Sequence, residues 1–363
     1  MNAHRLFTLR PTLPRHSMSG IVLRIVGALP LVLLALLLTA LFTISPARAS
    51  DIACHGENLL VAMEDEKPEQ LASIRAEAAK VPNGQGIFWK VEKEGLRPSY
   101  LLGTMHVTDP RVLTMPKGAR DAAAGADVVV IESDEILDEQ KAAASLLMHP
   151  ELTMFTDGKS VKDHLDAADL EKLDTGLKQR GLALGAVAKM KPWILASFVA
   201  LPACEMSRKA AGASFLDKQI AEDAVKAGKP VAGLESLVEQ LEAMADLPVD
   251  FHFKALIETI ALGDKMEDVI ETMTELYLAG DIGMTMPMLK AVAPTESGED
   301  ESAYAAFETR IVRDRNLVMA EGSRQHLEKG NAFIAVGALH LPGEEGLVEL
   351  LRKQGYTVTR IDG

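Results

Sequence analysis

Two segments of this 363-residue chain repeat one pattern. Leu101-Leu102-Gly103-Thr104-Met105-His106-Val107 and Ala335-Val336-Gly337-Ala338-Leu339-His340-Leu341 each read as an apolar strand, then Gly-x-x-His, then an apolar residue. A glycine leaving a strand lets another group approach its backbone closely. A histidine three residues later sits at the strand's carboxyl end, where open α/β sheets bind ligands. Imidazole serves both divalent metals and proton transfer near neutrality. A lone strand-end histidine is more often a structural hydrogen-bonder; the duplication is what favours function. Glu132, directly after the run Val128-Val129-Val130-Ile131, offers a carboxylate as a metal ligand or as the base for a water. On a simple strand order it falls beside the strand of His106. Glu235, after Val231-Ala232-Gly233-Leu234, is a weaker candidate of the same kind. Glu344 and Glu345 open the last helix, where acids favour the helix dipole, and read as structural. His55, His149, His164, His252 and His326 lack the paired context and read as surface or satisfied core positions.

The elements that must carry these groups follow from periodicity. A helical start over 54–80 leads to a hairpin built from 86–92 and 99–102, then a short helix over 117–125 and a buried strand over 126–131. From 138 to 329 the pattern is mostly helical, interrupted by a brief strand at 230–235. The chain closes with a strand at 332–336, a helix over 343–353 and a strand at 356–361. Strands at both ends and helices between predict a single α/β domain. Its central mixed sheet is built from N- and C-terminal strands, with a large helical insertion.

Composition removes several function classes. The net charge of −14 and an aromatic content of 4% argue against a nucleic-acid partner. There is no His-Glu-x-x-His, no Gly-x-Ser-x-Gly and no phosphate-cradling glycine-rich loop, so zincin, α/β-hydrolase and P-loop signatures are missing. The first 49 residues carry five arginines and no acid, and residues 25–44 form an uncharged apolar run ending near Ala47-Arg48-Ala49. These are the parts of a secretory signal, giving a leader over 1–49 and an exported, periplasmic or secreted domain over 50–363. The competing reading is an uncleaved inner-membrane anchor over 25–44, which is then the chain's one contact with a membrane. Cys54 and Cys204 both follow the leader and suggest one disulfide, with two free thiols as the alternative. Neither has a partner at metal spacing, which excludes a thiolate zinc site.

In these residues the sequence resembles the TraB/GumN family, whose animal relatives include the Tiki proteins. The resemblance rests on Gly86-Ile87-Phe88-Trp89, Tyr100 to His106, Ala126-Asp127 through Glu132, Phe215-Leu216-Asp217, Gly233-Leu234-Glu235 with Glu239-Gln240, Arg315-Asn316, and Val336 to Gly343. It implies a fold shared with erythromycin esterase-like and ChaN-like proteins. For the Tiki branch it implies metal-dependent proteolysis by both Gly-x-x-His histidines and an acid, which points to His106, His340 and Glu132. Arg315 is implied as a residue that orients an acid or binds substrate. The resulting expectation is an exported metal-dependent hydrolase acting on a peptide or small-molecule substrate, with a divalent ion held by His106, His340 and Glu132. Two imidazoles and a carboxylate suit zinc, manganese, cobalt or iron. The alternative is a non-catalytic periplasmic protein that binds a metal, haem or metabolite in the same pocket. Both readings leave the oligomeric state open.

Overall fold

A computed structural model describes residues 53–292 and 305–362, so the leader lies outside the described residues. Six strands form one mixed sheet: β1 (Phe88–Glu92), β2 (Ser99–Thr104), β3 (Val128–Ile131), β4 (Val231–Gly233), β5 (Ala332–Gly337) and β6 (Thr357–Arg360). Their order is β4-β3-β5-β2-β1-β6. β4, β3, β5 and β2 run parallel, and β1 pairs antiparallel with both β2 and β6. N- and C-terminal strands share the sheet, as the sequence predicts.

β3 does not lie beside β2; β5 stands between them. The first five residues of β5 are all buried, so this strand needs a neighbour on each edge and a layer on each face. Both faces are covered, which is why its sequence is a continuous apolar run rather than an alternating one. Leu101, Val130, Ile334 and Val336 pack on one face with Met319, Leu347 and Leu351 of the C-terminal helices. Leu102, Val129, Ile131, Phe333 and Ala335 pack on the other with Leu216, Ile220 and Ala221 of helix Leu216–Lys226.

The helical insertion has a core of its own, in which Phe155, Leu173, Leu177, Leu195, Phe253 and Leu256 are buried together. The long helical pattern over 237–279 resolves into three helices, Leu237–Ala245, Val249–Leu262 and Lys265–Leu278. Pro248 has no N–H to continue the first, and Gly263, at φ 55°, ends the second. Among the described residues no helix is long and apolar enough to cross a membrane.

Cys54 and Cys204 form a disulfide, with Cα atoms 5.4 Å apart across a sequence separation of 150. The bridge fastens the N-terminal segment to helix Ala203–Ala210. Glu205 of that helix is buried and accepts hydrogen bonds from Thr108 N and Oγ1, both at 2.9 Å, two residues beyond His106. Closing so long a loop removes much denatured-state entropy. Replacing both cysteines with serine is therefore expected to cost about 2–5 kcal/mol in urea unfolding. A change below about 1 kcal/mol would show that the bridge constrains neither state.

Candidate functional site

Each of the four parallel strands delivers one candidate residue just past its carboxyl end. His106 follows β2, Glu132 follows β3, Glu235 follows β4 and His340 follows β5. Parallel packing puts all four ends on one edge of the sheet. In the β2–β5 ladder Thr104 stands opposite Gly337, so the two Gly-x-x-His segments leave the sheet side by side. They open on a cavity of about 290 Å³ whose walls include His106, Glu132, Arg315, His340, Met273 and Tyr277.

His340 is buried, and its Nδ1 lies 2.7 Å from Oδ1 of the buried Asn316. Asn316 donates through Nδ2 to Glu345 O at 2.8 Å, which fixes the amide and leaves its oxygen to accept from the ring. The proton of His340 therefore sits on Nδ1. Burial pushes the ring's pKa down to about 4, against the opposing charge of Glu132, so the imidazole is neutral near pH 7. Its Nε2 is a free lone pair 3.8 Å from Glu132 Oε1.

Glu132 is buried and tightly held. Its Oε1 accepts from Gly337 N at 2.6 Å and its Oε2 from Arg315 Nη2 at 2.8 Å. Burial would raise its pKa, but the charges of His340, His106 and Arg315 and the Gly337 N–H hold it down at about 2. Arg315 also grips Glu235, with Nη2 at 2.7 Å and Nε at 3.0 Å from Oε2. One partly buried guanidinium thus bridges two buried carboxylates. Arg315 and Asn316 enter the site at the start of helix Asp314–Leu327, directly after a π-helical stretch over Glu308–Arg313. Such stretches re-aim side chains and recur at functional sites.

His106 keeps 54% of its side-chain surface accessible on the cavity, with Nε2 3.5 Å from Oδ2 of the buried Asp217. Enclosure by the cavity walls acts to lower its pKa, but the adjacent Asp217 carboxylate and the charge of Glu132 prevail and raise it to about 9. Sequence reasoning placed Asp217 and Asn316 in motif matches without giving either a role. Their signal was confined to the short patterns Phe-Leu-Asp and Arg-Asn. His149, His164, His252 and His326 line no part of this cavity; His252, for example, is buried with Nε2 2.8 Å from Met244 O.

The glycines of the two motifs serve different ends. A Cβ at Gly103 would meet Leu341 Cδ1 at 2.7 Å and Ala338 Cα at 3.0 Å, whereas one at Gly337 would meet Glu132 Oε1 at 3.1 Å. Gly103→Ala is expected to lose about 1–3 kcal/mol by overpacking. Gly337→Ala should keep most of its stability but push the Glu132 carboxylate off its N–H donor. Urea unfolding beside cation-binding titrations separates the two effects; equal stability losses would refute the distinction.

The chemistry of the donor set suits a divalent cation. Glu132, Glu235 and Asp217 stand against the guanidinium of Arg315 and a protonated His106, so one negative charge is uncompensated near pH 7, and a second once a cation displaces the His106 proton. Lys209, whose charge also reaches His106, has its own pKa lowered by burial. The 3.8 Å gap between His340 Nε2 and Glu132 Oε1 is too long for a hydrogen bond. It is short enough for both atoms to reach one ion at about 2.0–2.2 Å. Among the described residues, as the side chains stand, no three His, Cys, Asp or Glu groups already enclose a metal position.

Fold and site together define an α/β protein in which parallel strands present two histidines and a buried carboxylate to one strand-end cavity, with further buried acids behind it. Residues 87–360 match the TraB/PrgY/gumN family, and the chain belongs to that family. It is 24% identical over 322 residues to a protein of Nematostella vectensis named Metalloprotease TIKI homolog, covering 76% of this chain and 67% of the relative. It is 22% identical over 318 residues to human Metalloprotease TIKI1, covering 75% of this chain and 61% of the relative. It is also 22% identical over 262 residues to YbaP of Shigella flexneri, described as uncharacterized, covering 71% of this chain and 89% of that one. The chain thus spans about three-fifths of the human relative's length. No solved structure matches it significantly.

Proposed function

We propose that this protein is an exported metal-dependent hydrolase that cleaves peptides. The observation that carries the reading is the pairing of two Gly-x-x-His histidines on adjacent parallel strands, facing one cavity together with the carboxylate of Glu132. His106 and His340 would hold the ion, with Glu132 as the carboxylate. Bound there, a divalent ion would acidify a water and polarise a substrate carbonyl. The protein's own residues supply the rest. Asn316 keeps the His340 proton on Nδ1, and Arg315 helps hold Glu132 ionised and keeps both Glu132 and Glu235 in place. Met273, Tyr277 and Ile282 give the cavity an apolar wall that limits water. Support for a peptide substrate comes from the relatives named metalloproteases, and support for export from the leader pattern and the disulfide.

The test is metal analysis of the purified mature chain beside His106→Ala and His340→Ala, with turnover measured on a peptide and ester library. About one divalent ion per wild-type chain, lost in both variants together with chelator-sensitive peptide cleavage, is the expected result. Full metal content in both variants would overturn the site. Stoichiometric metal without turnover of any substrate would instead establish the non-catalytic binding protein.

A further inference from the structure

We propose that Asp217 is the positioning residue of His106, engaging Nε2 from behind the ring so that Nδ1 faces the cavity. This inference rests on the cation reading above. Asp217 is 3% exposed, and its Oδ1 accepts from Thr104 Oγ1 at 2.6 Å. Its Oδ2 is buried, has no hydrogen-bond partner, and lies 3.5 Å from His106 Nε2. A buried carboxylate oxygen left without a donor is costly, and the ring N–H of His106 is the group placed to satisfy it. Thr104 ends β2 and His106 lies two residues beyond it where the chain bends, so a single carboxylate reaches both side chains. Phe215, two residues before Asp217, packs against the ring with centroids 5.1 Å apart and fixes its plane. Asp217 itself does not line the cavity, which places it behind the imidazole rather than beside a bound ion.

The arrangement mirrors that of His340. There the amide of Asn316 takes Nδ1 and leaves Nε2 toward the cavity; here a carboxylate takes Nε2 and leaves Nδ1. The two histidines then face one ion through opposite nitrogens. An outer-shell carboxylate also strengthens the imidazole as a donor to metal, and removing such a partner typically weakens metal binding by about 10–100-fold.

The experiment is cadmium NMR on the mature chain with isotope-labelled histidine, reading which ring nitrogens couple to the metal. Coupling through Nδ1 of His106 and Nε2 of His340 is expected. In Asp217→Asn the amide N–H faces the ring, which can then only accept at Nε2, so the ring proton moves to Nδ1 and blocks that nitrogen. Loss of the His106 coupling, retention of the His340 coupling and about 10–100-fold weaker cadmium binding should follow. Should the variant not fold, the wild-type coupling pattern still decides. Coupling through Nε2 of His106, or wild-type cadmium affinity in Asp217→Asn, overturns the inference and leaves the cation reading intact. A wild-type chain that binds no cadmium overturns both.

Discussion

Glu132→Gln is expected to lower cation affinity and turnover together, by about 10–100-fold and about 10²–10⁴-fold respectively. A carboxylate held near a pKa of 2 stays ionised at every working pH, which makes it a weak proton acceptor but a good ligand. Its Oε1 uses one lone pair on Gly337 N and faces the bare Nε2 of His340 with another. The amide replaces that charged oxygen with a neutral group. One end of it must also set an NH₂ against either the Gly337 N–H or Arg315, donor against donor. The measurement is metal affinity by competition beside turnover on the peptide library. Retained affinity with lost turnover would reassign Glu132 as the base. Unchanged affinity and turnover would remove it from the site, and Glu235 would be the next acid to replace.

Much of the fold was legible because the central strands are buried on both faces. Val128 to Ile131 and Ala332 to Val336 are apolar runs too short for helices and bounded by turns, and each became a central parallel strand. Strand order was not legible. Nothing in the local pattern of β3 distinguishes β2 from β5 as its neighbour, since both are apolar on both faces. The order is set by how the crossover segments pack, which is non-local. In the helical middle the apolar spacing over 165–177, 192–204 and 215–227 marks separate helices, whereas the pattern over 237–279 hides two breaks, of which Pro248 marks one.

The site was half legible for a related reason. His106, His340 and Glu132 announce themselves because each ends a recognisable strand. Asp217 and Asn316 sit near helix starts in segments whose apolar spacing serves the core, so their polar side chains look like ordinary helix residues. Only the assembled sheet turns Asp217 toward Thr104 and His106 and sets Asn316 against His340. Arg315 was visible beside Asn316, yet its double engagement of Glu132 and Glu235 depends on β3 and β4 being neighbours.

That double engagement sets the second large effect. Arg315→Met keeps the apolar stem but strands two buried carboxylates without a counter-ion. Glu132 and Glu235 keep only 11% and 3% of their side-chain surfaces accessible, so water cannot take over the missing hydrogen bonds. Breaking a buried pair by removing one partner typically costs about 3–5 kcal/mol, and urea unfolding near neutral pH should show a loss of that size. Arg315→Lys should fall between, because one ammonium cannot reproduce the fork that reaches Glu235 through both Nε and Nη2. If the loss comes from stranded charge, then Arg315→Met with Glu235→Gln should recover part of it, since one of the two unpaired acids is gone. If it came instead from lost packing, the second substitution would add to the damage. A loss below about 1 kcal/mol in the single variant would show that the two acids find other partners, and the charge argument for a cation in this cavity would weaken with it.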